Sequence, residues 1–132
     1  MTERLSDEAK RELHAKLESE YRTLREEIRT ELLAADTERY SDLADLVHDP
    51  GDSSVADLLV DLEYAELDRH VESLRGVENA LQRLAQGTYG ACVDCGEVIA
   101  LARLQANPAA ARCIDCQRRY EHERDQDHPP RL

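Results

Sequence analysis

The sequence predicts a mainly α protein: a long antiparallel helical hairpin, a small module built on four cysteines, and a short C-terminal helix. Three observations lead there. Apolar residues recur at helical spacing along two long stretches, a Pro-Gly pair separates those stretches, and the four cysteines fall as two C-x-x-C pairs in the last third of the chain.

The first stretch runs from about Ser6 to Leu46, where Leu13, Leu17, Tyr21, Leu24, Ile28, Leu32 and Ala35 follow one another in steps of four and three. That is the spacing of a coiled-coil seam. Ser6 is placed to cap the helix start, with Asp7 and Glu8 in the first turn where the helix dipole favours negative charge. The pattern breaks at 48–54, and Pro50-Gly51 is a strong turn signal. It resumes from about Val55 to Gln86 with Leu59, Leu62, Leu67, Val71, Leu74, Val77 or Glu78, Leu81 and Leu84. Gly87 suits the position just past a helix end.

Two such arms read as a hairpin. At about 1.5 Å per residue, roughly 35 residues per arm make a rod about 50 Å long. Each arm covers the apolar stripe of the other, and the Pro50-Gly51 turn favours closure within one chain, so a monomer is expected. The organisation follows: residues 1–87 as the hairpin with its tip at about 47–55, residues 88–125 as the cysteine module with its helix, and 126–132 as a flexible tail.

Composition narrows the function. Charged residues are 35% of the 132 and aromatics 4%, with no Trp or Phe, so a large globular core is out of reach and a metal is a usual remedy at this size. A formal net charge of −12 repels phosphate backbones and disfavours direct DNA binding. The sequence offers neither a secretory leader pattern nor a run of about 18 apolar residues, so a cytoplasmic protein without a membrane role is expected.

In a reducing compartment, Cys92-Val-Asp-Cys95 and Cys113-Ile-Asp-Cys116, seventeen residues apart, read as a zinc site. Two intervening residues let each chain segment turn so that both sulfurs reach one ion at about 2.3 Å. Gly96 relieves the crowding of the first turn. Four thiolates fill a tetrahedron and leave no place for water, which makes a single structural Zn2+ rather than a catalytic one. Arg103, Arg112, Arg118 and Arg119 are candidates to offset its negative charge. The competing readings are cysteines without metal and a redox dithiol pair, which would make the chain a thiol oxidoreductase.

Tyr89-Gly90-Ala91-Cys92-Val93-Asp94-Cys95-Gly96, then Ile99, Arg103-Leu104, Ala106, Pro108, Ala110 and Cys113-Ile114-Asp115-Cys116, preceded by a helical hairpin, resemble the DksA/TraR family. The resemblance implies a non-enzymatic regulator that binds bacterial RNA polymerase, inserting its coiled coil into the secondary channel with acidic tip residues near the catalytic magnesium. The family tip motif, Asp-x-x-Asp-x-Ala, aligns with Asp49, Asp52 and Ser54, so Ser54 replaces the alanine. The same segment is ordinary turn chemistry, with Ser54-x-x-Asp57 as a helix cap. Arg69 aligns with a coiled-coil arginine that engages the channel rim; its plainer reading is a solvated residue paired with Glu66 or Glu72. Gly76, Asn107 and Gln117 align with basic residues that help relatives bind the alarmone ppGpp, and none is cationic here. Little response to ppGpp is expected, because phosphate recognition rests on charge-assisted hydrogen bonds. A passive occupant of the channel is the alternative function.

The remaining candidates are weaker. His14, His48, His70, His122 and His128 show no ligand spacing. There is no glycine-rich phosphate loop or nucleophile elbow. Paired-carboxylate chemistry needs a concave pocket that a helical rod does not supply.

Overall fold

The computed structural model describes residues 5–34, 38–48, 54–59 and 65–127. They form α1 (Asp7–Ala34), α2 (Glu38–His48), α3 (Val55–Leu58), α4 (Ala65–Gln86), α5 (Leu101–Ala106) and α6 (Ile114–Asp127). Extended structure among them is limited to one antiparallel bridge, Ala91 to Val98.

The expected helix signals act as read. Ser6 Oγ accepts from the Ala9 N–H at 3.0 Å, which satisfies one of the donors left over at the start of α1. At the end of α4, Gly87 takes φ 79°. There the Gly87 N–H bonds the Leu84 carbonyl and the Thr88 N–H bonds the Arg83 carbonyl at 2.9 Å, the paired bonds of a left-handed helix stop.

α1 and α4 make the long antiparallel pair. Leu13 and Leu17 near the start of α1 meet Val77 and Ala80 near the end of α4, all fully or almost fully buried. Farther along, Ile28 and Leu32 meet Leu67 and Leu74. The first cluster continues into the cysteine module through Tyr89, Cys92, Ile99, Leu104, Ala110 and Cys116. The mainly α architecture is therefore the one the seam predicts: an antiparallel helical pair, a four-cysteine module at its base, and a short closing helix. α6 is helical through Asp127, one or two residues past the expected boundary, and 128–132 lie outside the described residues.

The structure corrects the place where the arms bend. One continuous helix to about Leu46 was expected, yet α1 ends at Ala34 and α2 runs back along it. Ala44 and Val47 of α2 and Val55 and Leu59 around α3 join Ile28, Leu32, Leu67 and Leu74 in a second, distal cluster. The physical reason is coverage: two helices leave the flanks of their stripe open, and the returning segment closes them. Polar groups fix its position. Arg25 Nε donates to the Val47 carbonyl at 3.0 Å and its Nη2 to the His48 carbonyl at 2.6 Å, at the end of α2 where carbonyls lack helical partners. The residues flanking 49–53 therefore lie beside Arg25 and Glu78, whereas the far end of the pair is marked by Ala34 and Ala65. Ala34 is nine residues beyond Arg25, about 13 Å along the helix.

Replacing Leu74, fully buried in the distal cluster, by Ala is expected to cost about 2–5 kcal/mol. The same change at Leu33, 45% exposed, should stay within about 0.5 kcal/mol. Urea unfolding followed by circular dichroism measures both.

Candidate metal centre

Each cysteine pair is held by its own turn. The Cys92 N–H donates to the Glu97 carbonyl at 2.7 Å and the Gly96 N–H returns to the Cys92 carbonyl at 2.9 Å. Gly96 adopts φ 78°, the left-handed conformation in which a side chain is strained. The second pair opens α6: Cys113 precedes it and its carbonyl accepts from the Gln117 N–H at 2.9 Å. A hydrogen bond from the Val93 N–H to the Ala111 carbonyl, 2.9 Å, ties the two turns together. Tyr89 reinforces the join from below, its buried hydroxyl donating to the Pro108 carbonyl at 2.8 Å.

All four sulfurs consequently lie within 4.8 Å of one another. Cys95 Sγ and Cys113 Sγ are 3.8 Å apart. An ion bonded at about 2.3 Å to four tetrahedral sulfurs separates them by about 3.8 Å, so the donor set fits zinc in both chemistry and spacing. When bound, zinc supplies a positive centre and four covalent-strength links, while the chain supplies the geometry.

The sulfurs are not equivalent. Burial raises the Cys92 thiol, but backbone hydrogen bonds from Cys95, Cys113 and Asp94 outweigh it and bring it down to about 6. Burial and then the neighbouring sulfurs push Cys116 up to about 12. A shell in which one thiol ionises readily and another resists needs a cation to hold all four as thiolates. Of the four arginines expected to offset that charge, Arg119 reaches a sulfur: its Nη2 lies 3.2 Å from Cys116 Sγ. Arg112 instead pairs with Asp94 at 2.7 Å and stacks on Tyr120 at 4.0 Å, bracing one cysteine turn against the other. Arg103 donates to the Arg112 carbonyl at 2.9 Å, and Arg118 is exposed.

The other sequence candidates are placed as follows. Asp49 and Asp52 lie outside the described residues. Ser54 is the N-cap of α3 and accepts from the Asp57 N–H at 3.1 Å, as the capping pattern anticipates. It also donates to Glu78 Oε1 at 2.7 Å, and Glu78 Oε2 accepts from the Val55 N–H at 2.9 Å. Spacing left Val77 and Glu78 as alternatives for one seam position; a carboxylate falling there was the one signal of this role. Arg69 is exposed on α4, and Glu72 pairs with Arg124 at 3.6 Å. Of the histidines, His14 pairs with Glu18, and His70 sits between Glu27 and Glu31. Neither belongs to the sulfur cluster.

Gly76, Asn107 and Gln117 do come together. They line one groove of about 750 Å3 between α4, the cysteine module and α6. Spacing gave no hint that Arg75, Arg83, Arg103, Arg112, Arg118 and Arg124 line it too. Several are engaged: Arg75 pairs with Asp57 at 3.1 Å, and Arg103, Arg112 and Arg124 hold the partners named above. Arg83 is half-buried, and burial followed by the nearby Arg112 charge lowers its pKa.

Comparison with known proteins agrees with this geometry. Residues 87–122 match the prokaryotic dksA/traR C4-type zinc finger family. Over 89 residues the chain is 36% identical to the RNA polymerase-binding transcription factor DksA of Caulobacter vibrioides (strain NA1000 / CB15N), covering 67% of this chain and 58% of that protein. The chain belongs to the DksA/TraR family. The Escherichia coli (strain K12) DksA is 34% identical over 68 residues, 52% of this chain and 45% of that protein. The chain thus aligns with about half the length of these curated relatives. A solved structure of the DnaK suppressor protein from Agrobacterium tumefaciens C58 is similar with a TM-score of 0.54 and 27% identity, covering 81% of this chain and 89% of that one. Among the described residues, no helix is long and apolar enough to cross a membrane.

Removing the guanidinium beside Cys116 should loosen the metal. Arg119→Ala is expected to speed zinc release to a chromogenic chelator by about tenfold, and Arg119→Lys to restore part of the loss. An unchanged release rate would show that Arg119 does not act on the sulfur.

Proposed function

We propose that this chain is a non-enzymatic transcription regulator that binds bacterial RNA polymerase through the secondary channel, acting by protein contact in the cytoplasm as a monomer. The observation that carries the reading is the sulfur cluster built into the same apolar core as the base of α1 and α4. Relatives that share this zinc-finger stretch bear the name of RNA polymerase-binding transcription factors. One structural Zn2+ on Cys92, Cys95, Cys113 and Cys116 stiffens the base so that the helical pair leaves it in a fixed direction. Asp49 and Asp52 bring negative charge towards the polymerase magnesium, and Arg69, exposed on α4, contacts the channel rim. Charge placed beside a metal site alters promoter complexes without chemistry by this protein.

Asp52→Asn tests the tip. The expected outcome is polymerase binding retained and the transcriptional effect lost. An unchanged effect in a promoter-complex lifetime assay would leave Asp49 and Asp52 as turn residues. One observation favours a second reading, in which the rod occupies the channel passively: Ser54 is tied into a cap and to Glu78 rather than presented freely. Such a protein displaces other channel factors yet leaves promoter complexes unaltered.

Response to ppGpp is proposed to be weak. Gly76, Asn107 and Gln117 bring no charge to the groove, and four of its arginines already hold other groups. Calorimetric titration of the polymerase complex should therefore detect no micromolar site that depends on this chain.

A further inference from the structure

The returning segment is held by two charged side chains rather than by apolar contact alone. Arg25, from α1, donates to the Val47 and His48 carbonyls at the end of α2. Glu78, from α4, accepts from the Ser54 hydroxyl and the Val55 and Ala56 N–H groups at the start of α3, at 2.7, 2.9 and 3.4 Å. A cation meets orphan carbonyls and an anion meets orphan N–H groups, so each clasp matches the helix end that it holds. Tyr21 links them: its hydroxyl lies 3.5 Å from Glu78 Oε2 and its ring lies under Arg25 at 5.3 Å.

The helical phase of α2 also fits another arrangement. Leu46, 48% exposed, lies eighteen residues after the fully buried Ile28, which is five whole turns of a continuous helix. Leu43, only partly buried, lies eleven residues after Leu32, about three turns. Prolonging α1 through α2 would thus carry Leu43 and Leu46 onto the seam. The folded-back form buries Ala44 and Val47 fully and packs Leu43 against the same cluster, leaving Leu46 outside. α2 thus carries one broad apolar arc, of which the folded-back form uses the Ala44–Val47 side and a straight form would use the Leu43–Leu46 side.

We infer that Arg25 and Glu78 form an intramolecular latch that holds α2 and α3 against the α1–α4 pair, in exchange with a straight, longer hairpin that is the polymerase-binding form. The polymerase part rests on the function proposed above; the latch itself does not. A binding-competent form that is a minor population weakens apparent affinity in proportion to its fraction, so releasing the latch tightens binding.

Small-angle X-ray scattering of the full-length, zinc-loaded protein tests this, comparing the natural chain with Arg25→Ala, Glu78→Gln and the pair combined. The variants should lengthen by about 21 Å, the rise of the fourteen residues from Ala34 to His48 in one helix, while helicity and zinc content hold. A natural chain already as long as the variants, or variants that keep its length, overturns the latch. Native-state hydrogen exchange on the unaltered chain guards against variants that fail to fold. The Val55 and Ala56 amides should exchange together with those of α2, faster than Leu74 to Leu84 of α4. Exchange of all these groups only through global unfolding also overturns the latch. Lengthened variants should bind purified polymerase about tenfold more tightly, the shift expected from losing roughly one charge-assisted hydrogen bond. Equal affinity in lengthened variants overturns the regulatory role. No binding by any form, with lengthening observed, refutes the polymerase reading and leaves the latch standing.

Discussion

Four sulfurs confined within 4.8 Å are the constraint from which the rest of this molecule is organised. Packed that closely as thiolates they repel one another, and as thiols they hydrogen-bond weakly. Neither state resists chain entropy well, and a cation at their centre turns the cluster into an anchor. The anchor is not appended to the helices. Cys92 and Cys116, each 3% exposed, belong to the apolar cluster that contains Leu13, Leu17, Val77 and Ala80. Metal site and helix base are one core, so any force that tilts the helices also bears on the sulfurs.

That coupling explains how so acidic and aromatic-poor a chain keeps a defined shape. Leucine, isoleucine, valine and alanine make two small clusters, one at the module and one beyond it, instead of a single large interior. Polar side chains then act where apolar area is scarce. Arg112 spans Asp94 and Tyr120 across the two cysteine turns, Tyr89 bonds the Pro108 carbonyl, and Arg25 and Glu78 hold the ends of the returning helices. Tyr89, Arg25 and Glu78 each satisfy a backbone group that burial would otherwise penalise, whereas the Arg112–Asp94 pair is exposed.

The two clusters are held together differently. The base gathers the four candidate metal ligands into its core, and the distal cluster depends on contacts between segments far apart in sequence. The arginine-lined groove sits between the two regimes, with one wall on α4 and the other on the module and α6, so its shape follows the angle between them.

Much of this was legible without coordinates, because it depends on residues close in sequence. Ser6 caps α1 through a bond three residues on, Gly87 and Thr88 stop α4 through bonds to Leu84 and Arg83 respectively, and Ser54 caps α3 through Asp57. The C-x-x-C spacing determined which atoms meet at the metal, since two intervening residues leave the sulfurs few other places to go. The seam likewise determined that two long helices would pair. Which part of the first arm stays straight was decided elsewhere. Helical periodicity continues past Ala34 and reads the same whether α2 extends α1 or returns beside it; Arg25 reaching Val47 and Glu78 reaching Val55 separate the two. Those partners are 22 and 23 residues apart, beyond what any local pattern encodes, and only the packed structure brings them together.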